Sequence, residues 1–210
     1  MSVAQAQSSS TTMPEAPFFG GYSAQSTHYD ELLSGPSQIR PAWQKFAESI
    51  QRVGKVEFTR RWEQARRMLR ENGVTYNVHG DPTGRDRPWE LDPLPLILSA
   101  KEWDCLSQAL VQRARLLNLV LADLYGQQSL VTQGILPPEI IFANPLFMRA
   151  CHSVPVAHGN YIQFYAAHVA REASGKWQLL ADRTQAPSGA GYAVENRILL
   201  SRMLPDTYQA

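Results

Sequence analysis

The chain has 210 residues, 44% of them hydrophobic and 19% charged, and a formal net charge of +1. This composition is typical of a globular protein and provides no overall electrostatic attraction to nucleic acid or to an anionic membrane surface. No apolar run approaches the roughly 18 residues that a membrane span needs, and the N-terminal segment lacks the basic and apolar regions of a signal peptide. We therefore expect a cytoplasmic protein whose partners include neither nucleic acid nor a membrane.

The first 27 residues are rich in Ser, Gln, Thr and Ala, and Glu15 is the single charged residue among them. A stretch with so little apolar surface cannot offset the entropy that is lost on ordering. We predict a disordered leader over residues 1–27 and an ordered domain over residues 28–210. The aromatic residues of the leader that are able to dock locally are Phe18, Phe19 and Tyr22.

Apolar residues recur at helical spacing in several later segments. The pattern predicts one helix from Pro41 to Gly54 and a second from Val56 to Glu71, since proline suits a first helical turn and glycine a helix end. The capping box Ser99–Glu102 predicts the start of a long third helix that Gly126 ends. The apolar stripe of this third helix consists of Trp103, Leu106, Leu110, Leu117, Leu121 and Leu124. A final helix is predicted in "NRILLSRMLPD".

Strand signals are fewer. Val74, Tyr76 and Val78 alternate as in a strand and precede the turn sequence "GDPTG", and "LPLIL" is typical of a short buried or edge segment. The segments "NYIQFYAAHVARE" and "GKWQLLADRT", joined by "ASG", predict a β-hairpin. The order of elements favours an α+β fold with N-terminal helices and a small mixed sheet or hairpin.

The sharpest candidate site is "LLADRTQAPSGAGYAVENR", Leu179 to Arg197. Carboxylate and carbonyl oxygens are the ligands that Mg²⁺ prefers, arginines bind phosphate oxygens, and small residues let a ligand approach backbone N–H groups. The candidate metal ligands are Asp182, Glu195 and Asn196, the phosphate-binding residues are Arg183 and Arg197, and the small residues are Ser188, Gly189, Ala190 and Gly191. A surface ion-pair cluster around a tight turn is the alternative interpretation.

A second candidate is "GDPTGRDRPWELD", where charged residues surround Trp89. Its arginines could hold a carboxylate or a phosphate, and an exposed loop pinned by Trp89 is the alternative. The charged residues of this segment are Arg85, Asp86, Arg87, Glu90 and Asp92.

Other functional classes have weaker support. The arginines of the second predicted helix are interleaved with glutamates, which favours a solvated face over a nucleic-acid stripe. The five histidines lack the spacing of a zinc site. Ser188 does not lie in a nucleophile elbow. Cys105 and Cys151 lack metal-ligand spacing, and we expect both to be buried as small apolar residues.

Three segments resemble the N-terminal part of circularly permuted ATP-grasp proteins, a bacterial group described as glutathionylspermidine-synthase-like. They are "RENGVTYNVHGDPTGRDRPWELDPLPLIL", "QRARLLNLVLADLYG" and "LLADRTQAPSGAGYAVENRILLSRMLP", and the similarity runs from about Tyr29 to the last residues. The resemblance implies a partial ATP-grasp fold and an ATP-dependent carboxylate–amine or carboxylate–thiol ligase. Such an enzyme forms an acyl-phosphate, here on a peptide-like carboxylate substrate, which an amine nucleophile then attacks.

The resemblance also implies ATP and Mg²⁺ as cofactors. According to the resemblance, the metal ligands are Asp182, Glu195 and Asn196. The catalytic contacts to phosphate or substrate are Arg183 and Arg197, and the nucleotide-binding residues are Ser188, Gly189 and Gly191.

Three features depart from the family pattern, and two of them, His168 and the shorter chain, favour an alternative function. His168 stands where the family usually has an aspartate, and Glu195 and Asn196 are adjacent, so in a strand they would point to opposite faces. Family members are also longer, so we expect a truncated chain that is inactive alone and is complemented by the missing C-terminal half or by a partner protein. The alternative is a non-catalytic binding or scaffold module derived from the same fold.

Overall fold

The computed structural model describes residues 18–24, 27–76 and 87–208. Within these ranges, helices are combined with three separate two-stranded antiparallel sheets, which confirms the predicted α+β class. The chain divides into two compact units. The first comprises Met1–Ser99 with Ser188–Ala210, and the second comprises Ala100–Pro187. Most of the predicted disordered leader lies outside the described residues.

The helices are α1 Pro41–Val53, α2 Lys55–Glu71, α3 Ala100–Leu124, α4 Ser129–Thr132, α5 Pro138–Phe142, α6 Ala190–Met203 and α7 Pro205–Tyr208, with 3₁₀ turns at Arg149–Cys151 and Ala157–Gly159. The strands are β1 Leu33–Gly35, β2 Gln38–Ile39, β3 Thr75–Tyr76, β4 Arg87–Pro88, β5 Ala166–Arg171 and β6 Trp177–Arg183. The helices predicted from local signals are all present, and their boundaries agree closely except that α6 begins several residues before the predicted segment.

Local chemistry explains the first two helices. Pro41 occupies the first turn of α1, where its fixed φ and missing N–H cause no loss. Gly54 ends α1 with φ 76°, a value that side chains disfavour, and its N–H donates to the Ile50 carbonyl at 2.9 Å. Helix α2 follows at once and ends at Glu71, as the Asn72–Gly73 pair predicts.

The core of the first unit forms where α1, α2 and the end of α6 meet the β1 segment. Phe18 and Phe19 pack against this core, with the Phe18 ring centroid 4.9 Å from that of Phe58, which confirms that they dock. Tyr22 donates its hydroxyl hydrogen to Asp30 Oδ2 at 2.5 Å. The buried members of the cluster are Leu32, Leu33, Trp43, Phe46, Ile50, Phe58, Ala65, Met203 and Leu204.

A short antiparallel ladder follows α2. Thr75 pairs with Pro88, and Tyr76 pairs with Arg87. Val78 and the predicted "GDPTG" turn lie outside the described residues. The "LPLIL" segment is not assigned to a strand, although Leu94 and Ile97 within it pack against the core of the first unit.

The second unit combines α3 with the β5–β6 hairpin. Strand β5 pairs antiparallel with β6, with an irregularity in register between His168 and Val169, and this confirms the predicted hairpin. The predicted long third helix is confirmed as α3. Its apolar stripe is mostly not buried, however: Leu124 is the buried member, and Trp103 is 54% exposed.

Polar contacts tie the parts of the second unit together. Arg171 on β5 is 7% exposed and pairs with Glu102 in the first turn of α3. The Arg171 guanidinium lies 4.2 Å from the ring centroid of Trp177, whose Nε1–H donates to Glu102 at 3.2 Å. Asn118 on α3 accepts hydrogen bonds from the backbone N–H groups of residues 161 and 162.

The expected burial of the cysteines is wrong for Cys105, which is exposed, while Cys151 is half-buried. Cys105 lies on α3, a helix whose apolar side chains are themselves mostly half-buried or exposed. None of the helices in the described ranges combines the length and the apolar character of a membrane span.

Candidate functional site

The predicted site residues fall into two sets, because the boundary between the units lies between Pro187 and Ser188. Asp182 and Arg183 end strand β6 of the second unit. The first unit holds the others, at the start and in the middle of α6: Ser188, Gly189, Ala190, Gly191, Glu195, Asn196 and Arg197.

Asp182 is bound by an arginine from α3. Arg113 Nε lies 2.8 Å from Oδ1 and 3.0 Å from Oδ2, and Arg113 Nη2 lies 2.7 Å from Oδ2. The two side chains are 69 residues apart in sequence, and β6 brings Asp182 to the middle of α3. Bidentate arginine–carboxylate pairs of this kind combine charge attraction with a fixed orientation.

Tyr165 completes this cluster by donating its hydroxyl hydrogen to Asp182 Oδ1 at 2.7 Å. The hydrogen bond from Arg113, followed by that from Tyr165, lowers the pKa of the Asp182 carboxyl below its usual value. Burial, together with the hydrogen bond to Asp182, raises the pKa of Tyr165 to about 12. Asp182 is therefore held as an anion and Tyr165 as a neutral donor.

This geometry constrains what Asp182 can do. Both of its oxygens accept hydrogen bonds from cationic or neutral donors, so a divalent cation there would have to share the carboxylate with Arg113. Its role as a metal ligand stays a prediction. Arg183, its neighbour, is exposed. Sequence reasoning missed Arg113 and Tyr165, since no local pattern marks a pairing between α3 and the hairpin.

The glycine turn before α6 is open. Gly189 adopts φ 113° at the N-cap, a conformation that L side chains rarely adopt, so this position requires glycine. A Cβ atom added at Gly189 or Gly191 would meet no other packed group of the described residues within 4 Å, so the space beside each of these two glycines is open. Ser188 is exposed as well.

Glu195 and Asn196 lie in the middle of α6 rather than in a strand. Neighbouring side chains on a helix diverge by about 100°, so they face different partners. Asn72 Nδ2 donates to Glu195 Oε1 at 2.6 Å, and Trp89 Nε1–H donates to Asn196 Oδ1 at 2.8 Å. Arg197 is exposed, with its guanidinium 5.6 Å from the ring centroid of Tyr208.

The second candidate segment meets the first through Trp89. Its ring stacks on Tyr192 of α6, with centroids 4.4 Å apart and an interplanar angle of 24°, and Tyr192 donates to the Thr75 carbonyl at 2.7 Å. Trp89 anchors the segment to α6, and Asp92 accepts a hydrogen bond from the N–H of Leu94 at 2.8 Å. Glu90 is exposed, whereas Arg85 and Asp86 lie outside the described residues.

Within the described ranges, no group of three or more His, Cys, Asp or Glu residues is placed to hold a metal ion. The predicted site would also use the side-chain oxygen of Asn196 and the phosphate oxygens of a nucleotide. The predicted metal set stays a prediction.

Comparison with known proteins identifies the family. The model for circularly permuted ATP-grasp type 2 matches residues 95–210. The chain is 38% identical over 189 residues to an uncharacterized protein of Mycobacterium tuberculosis, a match covering 86% of this chain and 21% of that protein. It is 32% identical over 181 residues to an uncharacterized protein of Synechocystis, which covers 86% of this chain and 38% of that protein.

An uncharacterized protein of Mycobacterium leprae is 28% identical over 193 residues, covering 90% of this chain and 34% of that protein. The chain therefore spans between about a fifth and two-fifths of the length of these relatives. The matched residues of the family model contain α3, the hairpin and α6, including every candidate residue of the Leu179–Arg197 segment, and they confirm the resemblance seen in the sequence. The chain belongs to the circularly permuted ATP-grasp type 2 family.

Proposed function

We propose that this chain forms part of an ATP-dependent ligase that activates a carboxylate as an acyl-phosphate, which an amine or thiol then attacks. The observation that carries the proposal is the family match, because the ATP-grasp family suggests an ATP-dependent ligase-type fold and the match includes the whole Leu179–Arg197 segment. A peptide-like acid is the proposed substrate, and ATP with Mg²⁺ the proposed cofactors.

The turn before α6 is the proposed phosphate-binding element. Backbone N–H groups at a helix N-terminus point toward the preceding turn and attract anions. Ser188, Gly189 and Gly191 leave that turn open, as the space around the two glycines indicates. Arg197, on the same helix, supplies a guanidinium for phosphate oxygens, and Arg183 has the same proposed role in the second unit.

Glu195 and Asn196 are the proposed Mg²⁺ ligands of the first unit. Glu195 uses one of its two oxygens to accept a hydrogen bond from Asn72. The single side-chain oxygen of Asn196 accepts one from Trp89, so a metal there would share Oδ1 with the indole N–H. Glu195 Oε2 accepts no hydrogen bond from the described residues and is the oxygen that we assign to the metal. Mg²⁺ takes few protein ligands and completes its shell with water and substrate phosphates, so a small protein set is chemically adequate.

Asp182 is proposed to act in the second unit, where Arg113 and Tyr165 fix its orientation. If it binds Mg²⁺, Arg113 has to give up part of the carboxylate, and the freed guanidinium then becomes a phosphate-binding group. If Asp182 does not bind Mg²⁺, its role is to orient the guanidinium of Arg113.

Calorimetric titration of the 210-residue chain with Mg·ATP tests the proposal. We expect saturable binding that weakens by about tenfold or more in Glu195→Gln, since a lost contact to a charged group is worth about 1.5–3 kcal/mol. Glu63→Gln is the matched control, because Glu63 is an exposed α2 carboxylate outside the predicted site. Equal affinity of both variants and the wild type would remove Glu195 from the site, and absence of binding would contradict nucleotide binding by this chain.

Asp182→Asn, with exposed Asp104→Asn of α3 as its control, tests the second unit in the same titration. Weaker Mg·ATP binding in Asp182→Asn alone supports a role in nucleotide or metal binding. Unchanged binding limits Asp182 to the pairing with Arg113.

A non-catalytic binding module is the second candidate function, and the engagement of Asp182 by Arg113 favours it. A carboxylate that is neutralised by a guanidinium is a poorer metal ligand than a free one. Steady ATP turnover by the chain would contradict this candidate, whereas binding of a partner peptide or protein without ATP turnover would support it.

A further inference from the structure

A cleft of about 300 Å³ lies in the first unit between α2 and a wall formed by Val74 and Pro88–Leu91. This cleft is separate from the glycine turn before α6, none of whose residues lines it. Six of the side chains that line it decide its chemistry: Trp62, Arg66, Leu69, Arg70, Trp89 and Glu90. Its volume is at the lower end of the range of small-molecule sites, about 300–1,000 Å³.

Two arginines share one wall of this cleft. Arg66 and Arg70 are four residues apart on α2, so their side chains lie on the same helix face and repel each other. Neither guanidinium has a hydrogen bond or ion pair with any residue in the described ranges. Earlier on the same helix, by contrast, Glu57 neutralises Arg60 and Arg61 at 2.7 Å and 2.8 Å. An anion between Arg66 and Arg70 would relieve their repulsion.

The other walls are apolar and partly rigid. Leu69 is buried, and Trp62 and Trp89 are half-buried indoles that border the cleft. Trp89 is fixed by its hydrogen bond to Asn196 and by stacking on Tyr192. Indole faces favour flat apolar groups, so the walls add selectivity for an organic anion over a hydrated inorganic one.

Glu90 limits the charge that the cleft accepts. Its carboxylate lines the same space as the two guanidinium groups, which leaves one net positive charge. A polyphosphate would be repelled by Glu90, whereas a single carboxylate matches the net charge and the bidentate geometry of arginine.

We propose that the cleft lined by Trp62, Arg66, Arg70 and Trp89 is a binding site for a small monocarboxylate with a flat apolar body. Its carboxylate pairs with Arg66 and Arg70, and its apolar body lies against the two indoles. The inference stands on the cleft alone and does not depend on nucleotide binding by the glycine turn.

The test is an NMR titration of the full chain with sodium benzoate, followed through the indole N–H signals of Trp62 and Trp89. Arg66→Gln/Arg70→Gln removes the charges, and both side chains are exposed, so glutamine is accommodated. Arg67→Gln is the matched control, since Arg67 is an exposed arginine of α2 that does not line the cleft. Benzyl alcohol and inorganic phosphate serve as the neutral and the inorganic probe.

We expect benzoate to shift both indole signals saturably, with affinity reduced at least tenfold in Arg66→Gln/Arg70→Gln and unchanged in Arg67→Gln. Benzyl alcohol and phosphate should each bind at least tenfold more weakly. The proposal is overturned if benzoate gives no saturable shift, if the double variant binds like the Arg67→Gln control, or if phosphate binds as tightly as benzoate. Mg·ATP binding is measured separately, so either proposal can fail without the other.

Discussion

The two compact units differ in what holds each of them together. Of the fourteen buried apolar residues in the described ranges, thirteen belong to the first unit and one, Leu124, to the second. The second unit instead carries eleven of the large apolar side chains that are exposed: Trp103, Val111, Leu116, Leu119, Ile135, Ile140, Leu146, Met148, Val154, Phe164 and Leu180.

In the second unit, polar side-chain contacts join the segments that apolar packing joins in the first unit. Arg171 with Glu102, Arg113 with Asp182, and Asn118 with the backbone near Tyr161 each join α3 to a distant segment. Hydrophobic burial is non-directional and tolerates small shifts, whereas such contacts fix particular atoms. We infer that the first unit supplies stability and that the second owes its geometry to a few side chains.

We expect the largest change in the free energy of unfolding when a buried apolar residue is truncated, and almost no change when an exposed one is. Ile50 is 0% exposed, and Ile50→Ala should lower the free energy of unfolding by about 2–5 kcal/mol, because it leaves a cavity in the core. Leu116 is 57% exposed, and Leu116→Ala should change it by less than about 0.5 kcal/mol. Urea denaturation measures both changes. Equal losses of unfolding free energy in the two variants would contradict the inference that the first unit supplies the stability.

A smaller loss is expected when a polar contact of the second unit is removed. Arg171→Met leaves Glu102 and the Trp177 face without the guanidinium, at a cost of about 1–3 kcal/mol. Arg115→Met is the matched control, an exposed arginine of α3. Hydrogen exchange in β5 and β6 should increase only in Arg171→Met; equal exchange in both variants would show that the pairing does not hold the hairpin.

In each unit the described residues include a carboxylate whose pKa an arginine lowers, Glu57 in the first and Asp182 in the second, which allows a comparison of pH dependence. Hydrogen bonds from Arg60 and then Arg61 lower the pKa of Glu57 to about 2, and Arg113 lowers that of Asp182 below its usual value. Because the folded-state pKa values lie below the unfolded ones, these contacts stabilise the folded chain above the unfolded pKa values. The stabilisation is lost as the pH falls through the folded-state values.

Carboxyl ¹³C NMR titration measures both groups. Arg113→Gln should raise the pKa of Asp182 and leave that of Glu57 at about 2, since the two carboxyls belong to different units. An unchanged Asp182 titration in Arg113→Gln would show that the bidentate pair does not persist in solution.

The mildest effect concerns thiol reactivity. Cys105 is exposed on α3 and Cys151 is half-buried, so a thiol reagent should modify Cys105 first and give two kinetic phases. Cys105→Ser should remove the fast phase alone. A single slow phase in the wild type would mean that the α3 surface is covered in solution.

Local signals in the sequence were sufficient for the long helices and the β5–β6 hairpin, but they did not predict the short elements β1, β2, α4, α5 and α7. The capping box at Ser99, the proline at the start of α1 and the "ASG" turn are each read from a few neighbouring residues, and the structure has the helices and the hairpin where they predict them. Burial could not be predicted in this way. Trp103 and Cys105 have apolar character, but whether α3 is covered depends on distant chain segments.

The candidate site shows the same limit. Composition alone marks the segment Leu179–Arg197 as crowded with carboxylates, arginines and small residues. Three partners of those residues come from 69 to 123 positions away: Arg113 for Asp182, Trp89 for Asn196 and Asn72 for Glu195. No periodicity or spacing records such pairings, because tertiary packing alone creates them.

Hydrogen exchange of the 210-residue chain with and without Mg·ATP, followed by mass spectrometry, tests whether the glycine turn binds phosphate. We expect saturating Mg·ATP to slow exchange in peptides covering residues 188–197, where the glycine turn and Glu195 lie, and to leave exchange in α1 unchanged. Unchanged exchange over residues 188–197 at saturating Mg·ATP would contradict the assignment of this turn as the phosphate-binding element.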